Sequence, residues 1–176
     1  MLDATNLPIA LENTRLRLLS ELDADAYAAG TKDEAVRRFA HLPEPDYTPE
    51  SVRRMICDEV ATGLSSGTLA VLALADAETD RFVGSMVLFD VCSEAAEVGF
   101  WIHPGARGEG HAHRGLELAS RFARNSGLRT LTARTLPKNK ASQHCLTTAG
   151  FRETGRGVGT TPAGQQEELF HYRRDL

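Results

Sequence analysis

The chain has 176 residues, of which 41% are hydrophobic and 25% are charged, a composition that is ordinary for a globular domain and excludes a disordered or disulfide-rich protein. The formal net charge of −4 gives no general attraction to phosphate backbones or anionic membranes, so neither nucleic acid nor a membrane is an expected partner. We expect one domain over residues 1–176 and, since the cysteines are widely spaced and the start lacks a signal-peptide pattern, a cytoplasmic location.

The first half of the chain predicts a strand, two helices and an antiparallel meander. Residues 15–19 alternate between polar and apolar side chains, as a half-buried strand does, and residues 20–30 then have a helical pattern. An N-cap threonine and a proline at the first helical position predict a second helix over residues 49–61, with Gly63 at its end. Three strands follow at short spacing, over residues 68–75, 81–90 and 95–102.

The second half predicts a crossover unit and a closing hairpin. Apolar side chains recur every three or four positions over residues 110–126, which indicates an amphipathic helix that stops at Gly127. A strand over residues 128–135 and a helix over residues 139–149 come next. A loop rich in glycine, threonine and proline then separates two last strands, over residues 151–158 and 168–173.

The turn Arg107-Gly108-Glu109-Gly110 joins a predicted strand to the amphipathic helix. At the start of a helix, unpaired backbone N–H groups and the positive end of the helix dipole point outward together, which favours an anion. Glycines allow a phosphate to approach the backbone closely, and Arg107 adds a charged donor. Taken alone, the turn is equally consistent with a simple reversal of the chain. It matches neither GxxxxGK[ST], the nucleoside triphosphate loop, nor GxGxxG, the dinucleotide fingerprint.

Arg107, Gly110 and Ala112 fill the pattern Q/R-x-x-G-x-G/A in register, so the turn resembles the cofactor loop of the GNAT superfamily of N-acetyltransferases. Three further segments resemble the branch of that superfamily related to ribosomal-protein alanine acetyltransferases: its opening strand, the strand before the loop, and a later N-x-x-S…GF segment, at residues 13–18, 96–104 and 139–151. The likeness covers residues 13–173 and implies a single N-acetyltransferase domain over residues 1–176.

The resemblance implies an α/β (α+β) fold with a mixed, strongly twisted sheet of six or seven strands, helices on both faces, and a V-shaped splay between two central parallel strands. The splay would hold the pantetheine arm of acetyl-CoA, hydrogen-bonded by the backbone of Phe100, Trp101 and Ile102. Asn139 and Ser142 would lie near the thioester and the distal arm. The pyrophosphate would be held by residues of the turn, namely Arg107, Gly108, Gly110, His111 and Ala112.

The reaction that the resemblance implies is direct attack of a neutral amine on the acetyl carbonyl in a ternary complex, without a covalent enzyme intermediate. Since most amines are protonated at neutral pH, a base must remove a proton. Glu97 is the candidate, on the strand face that it shares with Gly99 and Trp101, where partial burial would raise the pKa of its carboxyl group. The alternative is an exposed strand glutamate without a catalytic role.

The leaving thiolate needs a proton, and the sequence departs from the family at this point. The superfamily often uses a tyrosine at the position that is Leu146 here. Ser142, one helical turn earlier, could donate through its hydroxyl, or solvent could serve, since a thiolate is a tolerable leaving group. Ser142 could equally be a helix-terminal serine that only bonds backbone. A backbone N–H near Ile102 would stabilise the oxyanion.

Other conspicuous side chains are assigned structural roles. His103, His111 and His113 predict no metal site and are expected on the surface or in loops, since residues two apart on a helix point in different directions. The helix over residues 139–149 is expected to bury one apolar row, made of Ala141, Cys145 and Ala149.

The sequence therefore predicts an enzyme that transfers the acetyl group of acetyl-CoA to a primary amine. Two acceptors stay open: a protein N-terminus, which needs an open groove, or a small molecule, which needs a closed pocket formed by the first helices and the last hairpin. Leu146 in place of tyrosine leaves an alternative, a catalytically inactive acyl-CoA-binding sensor or interaction domain. Edge strands near the C-terminal hairpin are compatible with a homodimer.

Overall fold

The computed structural model describes residues 1–40, 42–161 and 163–176, so His41 and Pro162, the proline of the last predicted loop, lie outside the described residues. Its centre is an eight-stranded sheet in the order β1-β2-β3-β4-β5-β6-β8-β7. The strands are β1 (Ile9–Leu11), β2 (Thr14–Leu18), β3 (Ala70–Asp76), β4 (Phe82–Phe89), β5 (Ala95–Ile102), β6 (Thr130–Thr135), β7 (Arg152–Thr160) and β8 (Gln166–Asp175).

Helices precede, connect and follow the central strands. They are α1 (Ala24–Gly30), α2 (Glu34–Phe39), α3 (Pro49–Met55), α4 (Ala61–Ser66), α5 (His111–Asn125) and α6 (Lys140–Thr148), with a π-helical turn, Ile56–Val60, between α3 and α4. Within the described residues, no helix is both long enough and apolar enough to cross a lipid bilayer.

The expected strands and the antiparallel meander β3-β4-β5 are confirmed, but the sheet has eight strands and not six or seven. The additional strand is β1, whose three residues are too few for a period of two to be visible. It pairs with β2 through a two-residue turn, since Leu11 faces Thr14, and Glu12 in that turn takes a φ of 51°.

The strands β5 and β6 run parallel and separate along their length. They pair only at their starts, where Ala95–Glu97 lies beside Thr130–Thr132, although β5 continues to Ile102 and β6 to Thr135. The parallel direction follows from the crossover through α5, which returns the chain to the same end of the sheet. The V-shaped splay between two central parallel strands is therefore confirmed, and it leaves one edge of β5 unpaired beyond Glu97.

Both faces of the sheet are covered, because side chains of β5 alternate between two cores. Ala96 and Val98 belong to the larger core, which includes buried side chains of α5 and α6. Trp101 lies on the opposite face, in a second core with residues of α1, α2 and α3. The predicted arrangement of helices on both faces is confirmed.

The helix that was expected to end at Gly63 continues for one more turn. A Cβ at Gly63 would lie 2.6 Å from Cβ of Leu69, so this glycine is required by close packing and not by termination. The end comes at Gly67, which takes a φ of 68° as a left-handed C-terminal residue.

The buried face of α6 also differs from the expected row. Ala141 is exposed, whereas Leu146 and Ala149 are buried in the larger core and Cys145 packs against it. The row was predicted from residues four apart, but the apolar face includes the neighbouring position three residues before Ala149. Leu146, treated as a departure from the family, is thus a core residue.

Candidate functional site

The glycine turn before α5 has the geometry of an anion-binding helix start. Gly108 and Gly110 take φ values of 83° and 82°, in the left-handed region that favours glycine. The first hydrogen bond of α5 runs from the N–H of Arg114 to the carbonyl of Gly110, at 3.2 Å. The N–H groups of residues 111–113 precede that bond and have no acceptor within the helix. The turn can therefore bind an anion through its backbone.

The charge of Arg107 is paired with a neighbouring carboxylate. Its guanidinium donates to both carboxylate oxygens of Asp33, the residue that caps α2 by accepting from the N–H of Val36. The hydrogen bond from Arg107 holds the pKa of Asp33 below its ordinary value. A role for the Arg107 side chain in binding pyrophosphate thus requires it to leave Asp33.

His111 is buried, contrary to the expectation of a surface or loop position. Its Nδ1 lies 2.8 Å from Oγ1 of Thr14, and its Nε2 lies 3.3 Å from Oε2 of Glu109. The side chain is 1% exposed because the first turn of α5 lies against β2, where Thr14 is also buried. The imidazole therefore anchors the helix start, and only the backbone of His111 remains to meet a ligand.

His103 and His113 lie where they were expected, the first in a loop and the second on the surface. Nδ1 of His103 accepts a hydrogen bond from the N–H of Gly105, and burial lowers the pKa of His103. His113 is exposed on α5. The described part of the chain contains no group of three or more side chains arranged to hold a metal ion.

A cavity of about 430 Å³ lies at the splay and extends over the second core. One end is lined by β5, β6 and α6, with Val98, Phe100, Ala133, Asn139, Ser142 and Leu146 among its walls. Another part is lined by α1, α2 and the connection from α2 to α3, where Phe39 lies in the wall and Tyr27 packs against both Tyr47 and Trp101. The last hairpin contributes Thr161 and Leu169 to the walls. The cavity thus joins the unpaired edge of β5 to an aromatic chamber, which we call the aromatic end.

The predicted site residues fall into two groups around this cavity. Lining residues include five of them: Glu97, Phe100, Trp101, Asn139 and Ser142. The described lining does not include Ile102 or the turn residues Arg107, Gly108, Gly110, His111 and Ala112. An extended ligand is therefore needed to reach both the turn and Glu97.

Glu97 lies at the point where β5 and β6 separate, and its side chain is only 14% exposed. Burial raises the pKa of Glu97 above its ordinary value, against the opposing effect of the Arg134 guanidinium. Nε of Arg134 lies 2.9 Å from each carboxylate oxygen. The expected partial burial of Glu97 is confirmed, whereas its catalytic role stays a prediction.

The contact with Arg134 was not predicted from the sequence. The sequence did indicate which face of β6 carries the arginine. Alternate residues of a strand share a face, so Arg134 lies on the same face as Thr130 and Thr132, on a strand beside β5. What the sequence lacked was the register between two strands far apart in the chain, which brings Arg134 to Glu97.

Trp101 belongs to the second core and also lines the cavity. Its ring packs edge-on against Tyr27, with centroids 5.1 Å apart, and lies 5.7 Å from the ring of Phe82. The indole N–H is buried and has no hydrogen-bond partner among the described residues. Burial also raises the pKa of Tyr27, so its phenol stays protonated at neutral pH.

Ser142, in the first turn of α6, lines the cavity. Oδ1 of Asn139 caps the helix by accepting from the N–H of Ser142, at 3.1 Å. The hydroxyl of Ser142 forms no hydrogen bond with any residue that the structure describes, so it does not merely bond backbone. Leu146, one turn later, lines the same cavity and offers no proton donor.

Comparison with known proteins agrees with the fold and the resemblance. The model of a family described as an acetyltransferase (GNAT) domain matches residues 13–152. No curated protein matches the sequence significantly. Among solved structures, RimJ of Mycobacterium smegmatis in complex with CoA-disulfide is similar, with a TM-score of 0.79 and 19% identity over 93% of this chain and 82% of that chain.

Two further solved structures have the same fold. The ribosomal-protein-S5-alanine acetyltransferase of Vibrio fischeri has a TM-score of 0.79 and 16% identity, over 96% of each chain. Spermidine N-acetyltransferase of Vibrio cholerae, in complex with CoA and spermine, has a TM-score of 0.77 and 16% identity over 93% of this chain and 95% of that chain. Since the family model matches residues 13–152, well over half of the chain, the protein belongs to the GNAT family of acetyltransferases, and the predicted acetyl-CoA-dependent N-acetyltransferase is confirmed.

Proposed function

We propose that the protein transfers the acetyl group of acetyl-CoA to a small cationic primary amine by direct attack in a ternary complex. The observation that carries this proposal is the position of Glu97, a largely buried carboxylate at the opening of the splay. It lies in a cavity that also contains the aromatic end. As the base, Glu97 would lie between the strand edge that suits a pantetheine arm and a chamber that suits an acceptor.

The cosubstrate would be held mainly by backbone groups. The unpaired edge of β5, at Phe100, Trp101 and Ile102, can hydrogen-bond an extended arm as an added strand does. The N–H groups at the start of α5 fit the pyrophosphate, with Gly108 and Gly110 allowing close approach. These roles are supported by the left-handed glycines and by the length of β5 that β6 leaves unpaired.

Glu97 would act as the general base. An ammonium acceptor gives up a proton to the ionised carboxylate, directly or through a water molecule, and the neutral amine then attacks the acetyl carbonyl. The raised pKa of Glu97 strengthens it as a proton acceptor while the group is ionised. Ser142, which lines the same cavity, would donate its hydroxyl proton to the departing thiolate and take a proton back from solvent, and direct donation by solvent is the alternative.

The acceptor is a cationic amine because carboxylates gather around the aromatic end. Four of them line the cavity, namely Glu44, Asp46, Asp58 and Glu59. Two guanidinium groups lie near them among the described residues: Arg54, which lines the cavity, and Arg37, which pairs with Asp46. Such a surplus of negative charge raises the local concentration of a cationic substrate. Walls from α1 and from the last hairpin favour a small molecule over a protein N-terminus.

A coenzyme A release assay tests the activity and the acceptor together. The panel contains spermidine, an aminoglycoside, free amino acids and a peptide that begins with alanine. We expect release with spermidine or the aminoglycoside to exceed release with the peptide. Release with the peptide alone would show a protein acceptor, and tight acetyl-CoA binding without release on any amine would show the inactive sensor instead.

A further inference from the structure

Arg134 connects three strands around the cavity. From β6, its Nε donates to both carboxylate oxygens of Glu97 on β5, at 2.9 Å each. Its Nη1 donates to the carbonyl oxygen of Thr160 at the end of β7, at 3.0 Å. The side chain is 23% exposed. One guanidinium thus holds the candidate base and, at the same time, the hairpin that closes one wall of the cavity.

The position of Arg134 on β6 explains why its guanidinium can contact Glu97 on β5. Glu97 and Thr132 form the last pair between β5 and β6, and Arg134 lies two residues further along β6. Residues two apart on a strand point to the same face, so Arg134 projects over the cavity where the strands have begun to separate. Its guanidinium therefore crosses the opening of the splay to reach Glu97.

The remaining charges around Glu97 do not replace this contact. Burial and the negative charge of Asp90, in the connection from β4 to β5, both favour the protonated carboxyl group. His171 on β8 favours the ionised form but is the smallest of these effects, and Arg134 supplies the largest opposing one. Without Arg134, Glu97 would be protonated over a wider pH range, and a protonated carboxyl group cannot accept a proton.

We propose that Arg134 is a positioning residue, which keeps Glu97 ionised and fixes the orientation of its carboxylate toward the acceptor. This proposal rests on the proposed function of Glu97 as the base. In the proton transfer, an N–H bond of the ammonium acceptor breaks and an O–H bond forms on Glu97. Arg134 keeps all of its protons, since a guanidinium does not lose a proton in proteins.

Direct titration of Glu97 tests the coupling without any acceptor. The chain is labelled with ¹³C-glutamate, and the side-chain carboxyl resonance of Glu97 is identified by its absence in Glu97→Gln. We expect the midpoint of this resonance to move to higher pH in Arg134→Gln by about one pH unit or more. Arg134→Lys, which retains the positive charge, should restore most of the original midpoint. An unchanged midpoint in Arg134→Gln would overturn the proposal.

The pH profile of kcat/KM with spermidine supplies the second readout. We expect the acid limb of Arg134→Gln to move in the same direction as the resonance, with about a fivefold loss at the original midpoint for a displacement of one unit and about a tenfold loss per unit well below it. The other limb of the profile reports the titration of free spermidine, so we expect it to stay at the same pH in the variant. A uniform loss at every pH, with the acid limb unmoved, would show a purely structural role and overturn the proposal.

Arg174→Gln is the matched control. Arg174 forms a comparable two-point ion pair with Glu117, between β8 and α5, and both side chains are about as buried as those of the Arg134 pair. We expect it to leave the Glu97 midpoint and the acid limb unchanged. Full activity of Glu97→Gln would contradict the proposed function itself, whereas the resonance in Arg134→Gln tests the coupling independently of that outcome.

Discussion

Replacing Gly110 with alanine tests the geometry of the turn at the start of α5. Alanine in the left-handed region costs about 1–2 kcal/mol. In addition, a Cβ at Gly110 would lie 2.2 Å from Nη1 of Arg114, so that side chain must move away. Arg114 would lose its hydrogen bond to the carbonyl of Glu109, at 2.8 Å, and its contact with Glu12, at 2.7 Å. These losses add about 1–2 kcal/mol, so we expect Gly110→Ala to lower the free energy of unfolding by about 2–4 kcal/mol in total.

Gly108→Ala separates the backbone cost from the cost of displacing Arg114. Gly108 has nearly the same φ, 83°, but apart from its chain neighbours no atom of the described residues lies within 4 Å of a Cβ at this position. We therefore expect only the backbone cost, about 1–2 kcal/mol. Urea denaturation followed by circular dichroism measures both variants. Equal losses of stability would refute the contribution assigned to Arg114, and a negligible loss in both would refute the requirement for a left-handed residue.

Three further predictions concern the helix anchor, the aromatic end and the base. Thr14→Val removes the hydroxyl that meets buried His111, and we expect about 1–3 kcal/mol less stability in urea denaturation; unchanged stability would contradict a buried hydrogen bond. Gly30→Ala places a Cβ 2.6 Å from Cζ3 of Trp101, so KM for spermidine should rise while KM for acetyl-CoA stays constant; a parallel rise of both would contradict a separate acceptor chamber. Because burial raises the pKa of Glu97, kcat/KM should fall as the pH drops through that pKa, and a profile without this acid limb would exclude Glu97 as the base.

The sequence predicted the parts of the site that depend on local pattern. Alternation along β5 placed Glu97 and Trp101 on one face, and the structure has both in the walls of one cavity. The glycines before α5 predicted a turn at the helix start, and the structure has Gly108 and Gly110 there in the left-handed region. Both inferences needed only a few consecutive residues.

The parts that failed depend on contacts between distant segments. His111 is buried because Thr14, far away in the chain, lies beneath the start of α5. The ion pair of Glu97 with Arg134 requires the register of β5 against β6, which no local pattern specifies. The expected helix end at Gly63 was wrong, because that glycine packs closely against Leu69 and the helix ends at Gly67.

The central claim, that Glu97 is the base of an acetyl transfer, is tested most directly by coenzyme A release from acetyl-CoA with spermidine in Glu97→Gln. The matched control is Glu94→Gln, an exposed glutamate just before β5. The account predicts a loss of kcat/KM of about 100-fold to about 10,000-fold in Glu97→Gln, with unchanged affinity for acetyl-CoA and an unaffected control. Wild-type turnover in Glu97→Gln would contradict it.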